Sequence, residues 1–265
     1  MTRDAHREAA ELARYYDLDL VDDPGDVELY RALAARSGGP VLELAAGTGR
    51  VAVPLAAAGL EVVALDLDPA MLARAEARWA DAADSARPRR PGGSLQSVQA
   101  DLLDADLGAR FGLVILALNG LLLLADPVSQ AAALAAVARH LRPSGIAVVD
   151  VWLPGPDDLA LYDGRLVLEW LRADDERGEH VAKQASARYD AATARVELTA
   201  IFDAWPIDGG AVRRVARTDR LRLVGAAELV RLAEDAGLQV ETLAGDYSLD
   251  PFGAGAERVV LVGTL

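Results

Sequence analysis

The stretch Val41-Leu42-Glu43-Leu44-Ala45-Ala46-Gly47-Thr48-Gly49-Arg50 decides the fold. Four residues of strand character feed a glycine-containing turn. The turn opens a helix, Arg50 to Ala58, that closes at Gly59. Such a turn lets a ligand approach the backbone and offers helix N–H groups to an anionic or polar group. Gly47-Thr48-Gly49-Arg50-Val51-Ala52 also fits the GxGxxG/A dinucleotide pattern, which alone equally describes an ordinary strand-to-helix turn.

Working outward, the texture repeats. Strand Glu61 to Leu65 ends at Asp66, and a helix follows over Pro69 to Ala83. Strand Leu95 to Gln99 stops before Asp101. Strand Leu113 to Leu118 precedes an Ala-rich helix over Asp126 to Leu141, capped by Asp126. Arg142-Pro143-Ser144-Gly145 then turns into strand Ile146 to Val151. Near-continuous apolar strands alternating with helices indicate a parallel sheet covered on both faces. Upstream lie two helices, Arg3 to Tyr15 and Pro24 to Arg36. The second is capped by Asp23, carries Pro24 in its first turn and ends at Ser37-Gly38-Gly39. Asp84 to Ser94, with Arg87, Arg89 and Arg90, reads as a solvated loop. Downstream, Arg165 to Trp170, Val181 to Tyr189, Arg195 to Ala204 and Val212 to Val224 alternate in character and predict an antiparallel meander. A helix over Gly225 to Ala236 and strands Leu238 to Leu243 and Arg258 to Val262 close the chain.

Composition removes several classes. The 265 residues carry 27 basic and 41 acidic side chains, a formal charge of −14, which opposes nucleic-acid binding. No cysteine is present, so disulfides, thiolate nucleophiles and Cys-ligated zinc are excluded. His6, His140 and His180 are far apart, so no metal site is expected, and Lys183 is the only lysine. The apolar run Phe111 to Ala125 is too short to span a bilayer, and the acidic N-terminal segment is not a signal peptide. The expectation is a cytoplasmic protein with no membrane or nucleic-acid partner.

The acids narrow the ligand. Asp66 stands 17 residues beyond Gly49, where a carboxylate can accept both hydroxyls of a ribose. Asp101 follows the third strand at the same edge, and Glu43 lies inside the first strand. Three carboxylates near one edge disfavour a dinucleotide with two phosphates. They favour S-adenosylmethionine, which has a sulfonium, an ammonium and no phosphate.

ELAAGTGR, ALDLDPAMLARA, QADLLD and LRPSG, in this order, resemble the class I S-adenosylmethionine-dependent methyltransferases. The resemblance implies an α/β fold, a doubly wound seven-stranded Rossmann-like sheet with N-terminal helices and an antiparallel β insert. It divides the chain into an N-terminal helical lid (1–39), an S-adenosylmethionine-binding core (40–152), an antiparallel insert serving as substrate cap (153–224) and a closing helix and strand pair (225–265). By that resemblance Gly47 and Gly49 line the methionine moiety, in a cradle with Ala45, Thr48, Arg50 and Leu118. Ala45 stands where many members carry the first glycine. Asp66 binds the ribose, Leu67 and Met71 flank the adenine, Asp101 faces the adenine amino group with Leu102 beside it, and Asn119 sits near the methionine.

A narrower resemblance, carried by ARYYDL, the insert and GDYSLDPFGAGAERVVLV, is to small-molecule amine methyltransferases, including sugar N-methyltransferases and, distantly, glycine N-methyltransferase. It implies an early tyrosine at the cofactor, Tyr16 or Tyr15. Some sugar enzymes carry a histidine base where this chain has Leu123. Tyr247 and Asp246 are candidates for a substrate role, Trp152 and Trp205 for an apolar pocket, and His140 for a structural one. The expected activity is methyl transfer from S-adenosyl-L-methionine, leaving S-adenosyl-L-homocysteine, to a small molecule, nitrogen ahead of oxygen. The alternatives are a non-catalytic protein binding either compound and an NAD(P)-dependent oxidoreductase. The insert is expected to cover the site mouth or to pair two subunits as a homodimer.

Overall fold

The computed structural model describes residues 3–21, 24–82 and 92–265. In chain order the elements are α1 (Arg3–Asp19), α2 (Val27–Ser37), β1 (Val41–Leu44), α3 (Ala52–Ala57), β2 (Glu61–Asp66), α4 (Pro69–Asp81), β3 (Ser94–Gln99), β4 (Phe111–Leu116), α5 (Pro127–His140), β5 (Leu141–Trp152), α6 (Pro156–Leu161), β6 (Asp163–Asp174), β7 (Glu179–Asp190), β8 (Arg195–Pro206), β9 (Arg213–Arg222), α7 (Ala226–Asp235), β10 (Gln239–Ala244) and β11 (Arg258–Thr264). The chain forms two compact units, residues 1–22 with 154–223, and residues 23–153 with 224–265.

The larger unit is built on a seven-stranded sheet in the order β10-β11-β5-β4-β1-β2-β3. β5, β4, β1, β2 and β3 run parallel, and β11 is antiparallel to both its neighbours. One face of the sheet, with Val41, Val62, Leu113, Ile115 and Val148, packs on Leu29, Tyr30 and Leu33 of α2 and Leu55 of α3. The alternate residues Leu42, Leu44, Val114, Leu116 and Val149 are equally buried, so both faces are covered. This burial of both faces explains why β1 and β4 read as continuous apolar runs.

The smaller unit is a four-stranded antiparallel meander, β6-β7-β8-β9, joined by α1. Tyr15 and Leu12 of α1 pack against Phe202, Val181 and Val215.

The structure departs from the sequence reading in several places. The expected 1–39 lid divides: α1 belongs with the meander, and α2 with the seven-stranded sheet. The second helix begins at Val27 rather than Pro24, because Gly25 turns left-handed (φ 82°); Asp26, at the N-cap, makes no side-chain cap bond and directs its carboxylate to Arg50. Asp23, and with it the expected cap, lies outside the described residues, as do Arg87, Arg89 and Arg90. Leu118 does not continue β4; it and Asn119 turn into the left-handed region. The expected turn at Arg142 to Gly145 is part of β5, bulged between Leu141, opposite Phe111, and Ile146, opposite Leu113. A Cβ on Gly145 would stand 2.8 Å from the Phe111 carbonyl oxygen, so the bulge requires glycine. The short helix α6 was not anticipated. Pro156 opens it, and the Asp158 carboxylate accepts from the Gly155 amide at 2.9 Å.

Candidate cofactor and active site

The strand order reverses between β1 and β4, which opens a crevice beyond their carboxyl ends. The glycine turn lies on this edge. Ala45 (φ 54°), Gly47 (φ 55°) and Gly49 (φ 75°) are all left-handed. The Ala46 amide donates to the Leu65 carbonyl at 2.9 Å, which fastens the turn to β2. A Cβ on Gly49 would come within 2.8 Å of Ala75 Cβ, so this glycine sets the approach of α3 to α4. Thr48 is buried behind it and accepts a long hydrogen bond, 3.4 Å, from Arg78.

Asp66 ends β2 on the same edge. Its Oδ2 accepts from the Gly47 amide and its Oδ1 from the Asp68 amide, both at 2.8 Å. Burial raises its pKa, against the pull of those two amides. Each oxygen keeps a further lone pair for a hydroxyl donor. Beside it Leu67 is 64% exposed, while Met71 on α4 is buried. Past β3, Asp101 is exposed and accepts from the Leu103 amide at 2.9 Å, and Leu102 is buried. An exposed leucine, two buried apolar side chains and a carboxylate with free lone pairs match the needs of an adenosine.

Behind the turn sits an excess of acid. Glu43 is buried, and its Oε2 has no hydrogen-bond partner. Burial pushes its pKa up to about 8, opposed by the Arg50 guanidinium and the Ala52 amide. Arg50 itself forks Asp26 with two bonds of 2.6 Å. A buried carboxyl with an unpartnered oxygen fits a cationic methyl donor and opposes the phosphates of a dinucleotide.

On the β4 side, Leu118 (φ 43°) and Asn119 (φ 64°) hold a conformation that costs a non-glycine residue energy. The Leu118 amide donates to Asp150 Oδ1 at 3.2 Å, and the Trp152 amide donates to Asn119 Oδ1 at 2.6 Å. Asp150 is fully buried. It also accepts from Tyr30 at 2.6 Å, Tyr247 at 2.9 Å and Arg258 at 3.0 Å. The sequence reading missed this hub. Its one signal was a lone acid inside the apolar run Ile146 to Trp152.

The Tyr247 hydroxyl is committed to Asp150, and Asp246 closes its own loop by accepting from the Ser248 and Asp250 amides. Tyr16 lies half-buried on α1, in the meander unit with Tyr15 and Trp205, whereas the predicted cofactor residues from Glu43 to Asn119 belong to the sheet unit. Tyr15 is fully buried and stacks on Phe202 at 5.0 Å. Lys183 pairs with Asp19 at 2.5 Å and Glu169 at 2.8 Å. His140 is buried at the end of α5, bonded to the Leu107 amide and the Ala136 carbonyl. Burial lowers its pKa, which fits a neutral structural imidazole. Leu123 is 47% exposed. No group of three or more His, Cys, Asp or Glu could hold a metal among the described residues. Likewise, among them no helix is long and apolar enough to cross a membrane.

Residues 41–145 match the family described as "Methyltransferase domain". The chain is 27% identical over 236 residues to a cypemycin N-terminal methyltransferase of Streptomyces sp, covering 89% of this chain and 86% of that one. It is 31% identical over 166 residues to a dTDP-3-amino-3,4,6-trideoxy-alpha-D-glucopyranose N,N-dimethyltransferase of Streptomyces venezuelae, covering 62% and 64%. The CcbJ methyltransferase of Streptomyces caelestis superimposes with a TM-score of 0.72 at 28% identity, over 93% of this chain and 94% of that one. Taken with the sheet order and the glycine turn, these likenesses make residues 41–145 a methyltransferase domain and the chain an S-adenosylmethionine-dependent methyltransferase with a Rossmann-like fold.

Proposed function

We propose that the chain methylates an amine nitrogen of a small molecule. The observation that carries this reading is that one relative is named an N,N-dimethyltransferase of an amino sugar, beside another named for methylating an N-terminus, the amino end of a chain. In this reading Asp66 accepts the ribose hydroxyls, Leu67, Met71 and Leu102 flank the adenine, and Asp101 faces its amino group. The turn from Ala45 through Gly47, Thr48 and Gly49 to Arg50, with Leu118 and Asn119, holds the methionine part. Glu43, held neutral by burial below about pH 8 in the free chain, ionises against its positive charge.

The bound cofactor supplies a methyl group already activated on a sulfonium. The chain's task is then to align donor and acceptor, and alignment reaches effective molarities on the order of 10⁵–10⁸ M. An amine can lose its proton to water beforehand, so the reading needs no base at Leu123.

The test is a panel of amines and phenols with detection of S-adenosylhomocysteine and mass analysis of the product. An N-methylated product supports the reading; turnover of phenols alone overturns it.

A second copy of this chain is the proposed protein partner, through the free edge of β6. The two edges of the meander differ. β9 reads RRVARTDRLR, a charged edge that resists pairing. β6 leaves Leu166, Val167, Leu168 and Leu171 between 49% and 62% exposed. Sedimentation of wild type and Leu168→Arg checks this: a dimer that dissociates in the variant supports it, and a wild-type monomer overturns it. Nucleic acid is not among the proposed partners, given the charge of −14.

A further inference from the structure

We infer that Asp150 is a positioning residue for the cofactor: it holds the left-handed Leu118–Asn119 turn in the shape the methionine side of the site requires. The inference rests on the cofactor cradle and is independent of which acceptor is methylated.

Leu118 and Asn119 adopt φ of 43° and 64° without being glycine, which an L-residue sustains only when neighbours impose it. Two bonds from β5 impose it here: the Leu118 amide to Asp150 and the Trp152 amide to Asn119. Asp150 could not hold the turn if it were itself loose, and it is not. Oδ1 takes the Tyr30 hydroxyl with the Leu118 amide, and Oδ2 takes the Tyr247 hydroxyl with Arg258 Nη1. Arg258 also lies over the Tyr247 ring, 4.4 Å from its centroid. Tyr30 comes from α2, Tyr247 from the segment after β10 and Arg258 from the start of β11. Three distant parts of the sheet unit thus aim one carboxylate at one backbone amide, next to the cradle.

Four donors converge on two oxygens, so a carboxylate is required. In Asp150→Asn a single carbonyl oxygen remains. Arg258 claims it, because a guanidinium facing an amide NH₂ would be donor against donor. The NH₂ then faces Leu118, and the turn loses its acceptor.

The test is calorimetric titration with S-adenosylhomocysteine, which contains no acceptor, on wild type, Asp150→Asn, Leu118→Gly and the double variant. Asp150→Asn should weaken binding about tenfold, the scale of one charge-assisted hydrogen bond. Glycine takes φ near 43° without strain. Adding Asp150→Asn to Leu118→Gly should therefore change affinity by less than about threefold. The Leu118 amide proton, followed by NMR, should exchange faster in Asp150→Asn than in wild type.

A folded Asp150→Asn protein with wild-type affinity overturns the inference. So do losses that simply add in the double variant, which is what a role confined to general stability produces. If Asp150→Asn does not fold, Tyr30→Phe and Tyr247→Phe decide: a loss of twofold or more in either supports the inference, and unchanged affinity in both overturns it. Wild type that fails to bind S-adenosylhomocysteine removes the cradle itself, whereas an amine panel without turnover leaves this test standing.

Discussion

In the seven-stranded sheet every residue of β1 and β4 is buried; in the four-stranded meander β6 is exposed at most positions, and β8 and β9 alternate between buried and exposed. The two sheets accordingly bury charge for different ends. In the meander unit Glu11, Asp174 and Glu179 are matched against Arg14, Arg177 and Arg213. Arg213 holds the Glu179 carboxyl below its usual range. Each of these buried acids reaches an arginine, buried Arg14 or the partly exposed Arg177 and Arg213, and the lattice ties α1 to the strands. In the sheet unit, buried charge collects at the carboxyl edge, and it is not matched. Among the described residues, Asp26 pairs with Arg50 and Asp150 with Arg258, and Glu43 has no salt bridge of its own. The odd acid is Glu43, the one with an unpartnered oxygen. Matched buried charge does structural work, and a buried carboxyl without a cation, held neutral below about pH 8, marks where a cationic ligand would draw out its charge.

The largest effect expected from this contrast is in the meander. Arg14→Met strands the buried Asp174 carboxylate and should destabilise that unit by about 3–5 kcal/mol. Denaturant unfolding measures it. A loss below about 1 kcal/mol would show that the lattice is decoration on an apolar core.

Next comes Asp66→Ala. Two charge-assisted bonds to ribose hydroxyls, each worth roughly 1.5–3 kcal/mol, disappear together. Affinity for S-adenosylmethionine should fall about a hundredfold or more. Melting should change little, because Asp66 sits at a strand end, and Asp66→Asn should fall between. An unchanged dissociation constant in a folded Asp66→Ala protein would place the adenosine elsewhere.

The third effect concerns Glu43 and appears only at high pH. Its carboxyl titrates near 8 in the folded chain, against 4.5 ordinarily. Between those values the folded state holds a proton that the unfolded chain has released. The stabilisation is therefore complete below about pH 4.5 and is lost as pH rises toward 8. Glu43→Gln should match wild type near pH 5. At pH 8 and without cofactor it should be more stable by about 3–4 kcal/mol, the shift between 4.5 and about 8 at roughly 1.4 kcal/mol per pKa unit. The same substitution should weaken binding of the cationic cofactor more than that of S-adenosylhomocysteine. Thermal melts that run parallel at both pH values would refute the surplus-charge account.

What was legible without coordinates was whatever depends on neighbours in sequence. Strand, glycine turn and helix from Val41 to Ala58 form a local unit, and the acids that end β2 and follow β3 announce themselves by position after an apolar run. The meander declared itself by its alternation, and Asp126 as a cap by preceding Pro127; it accepts from the Val128 and Ser129 amides. Only the tertiary structure decided that α2 belongs with the sheet and α1 with the meander, since both helices carry apolar residues and nothing local says what they will cover. It alone decided the Asp150 hub, whose partners Tyr30, Leu118 and Tyr247 lie 120, 32 and 97 residues away. A buried carboxylate takes its meaning from the donors that surround it. Those donors are assembled by the packing of strands and helices, which periodicity along the chain cannot encode.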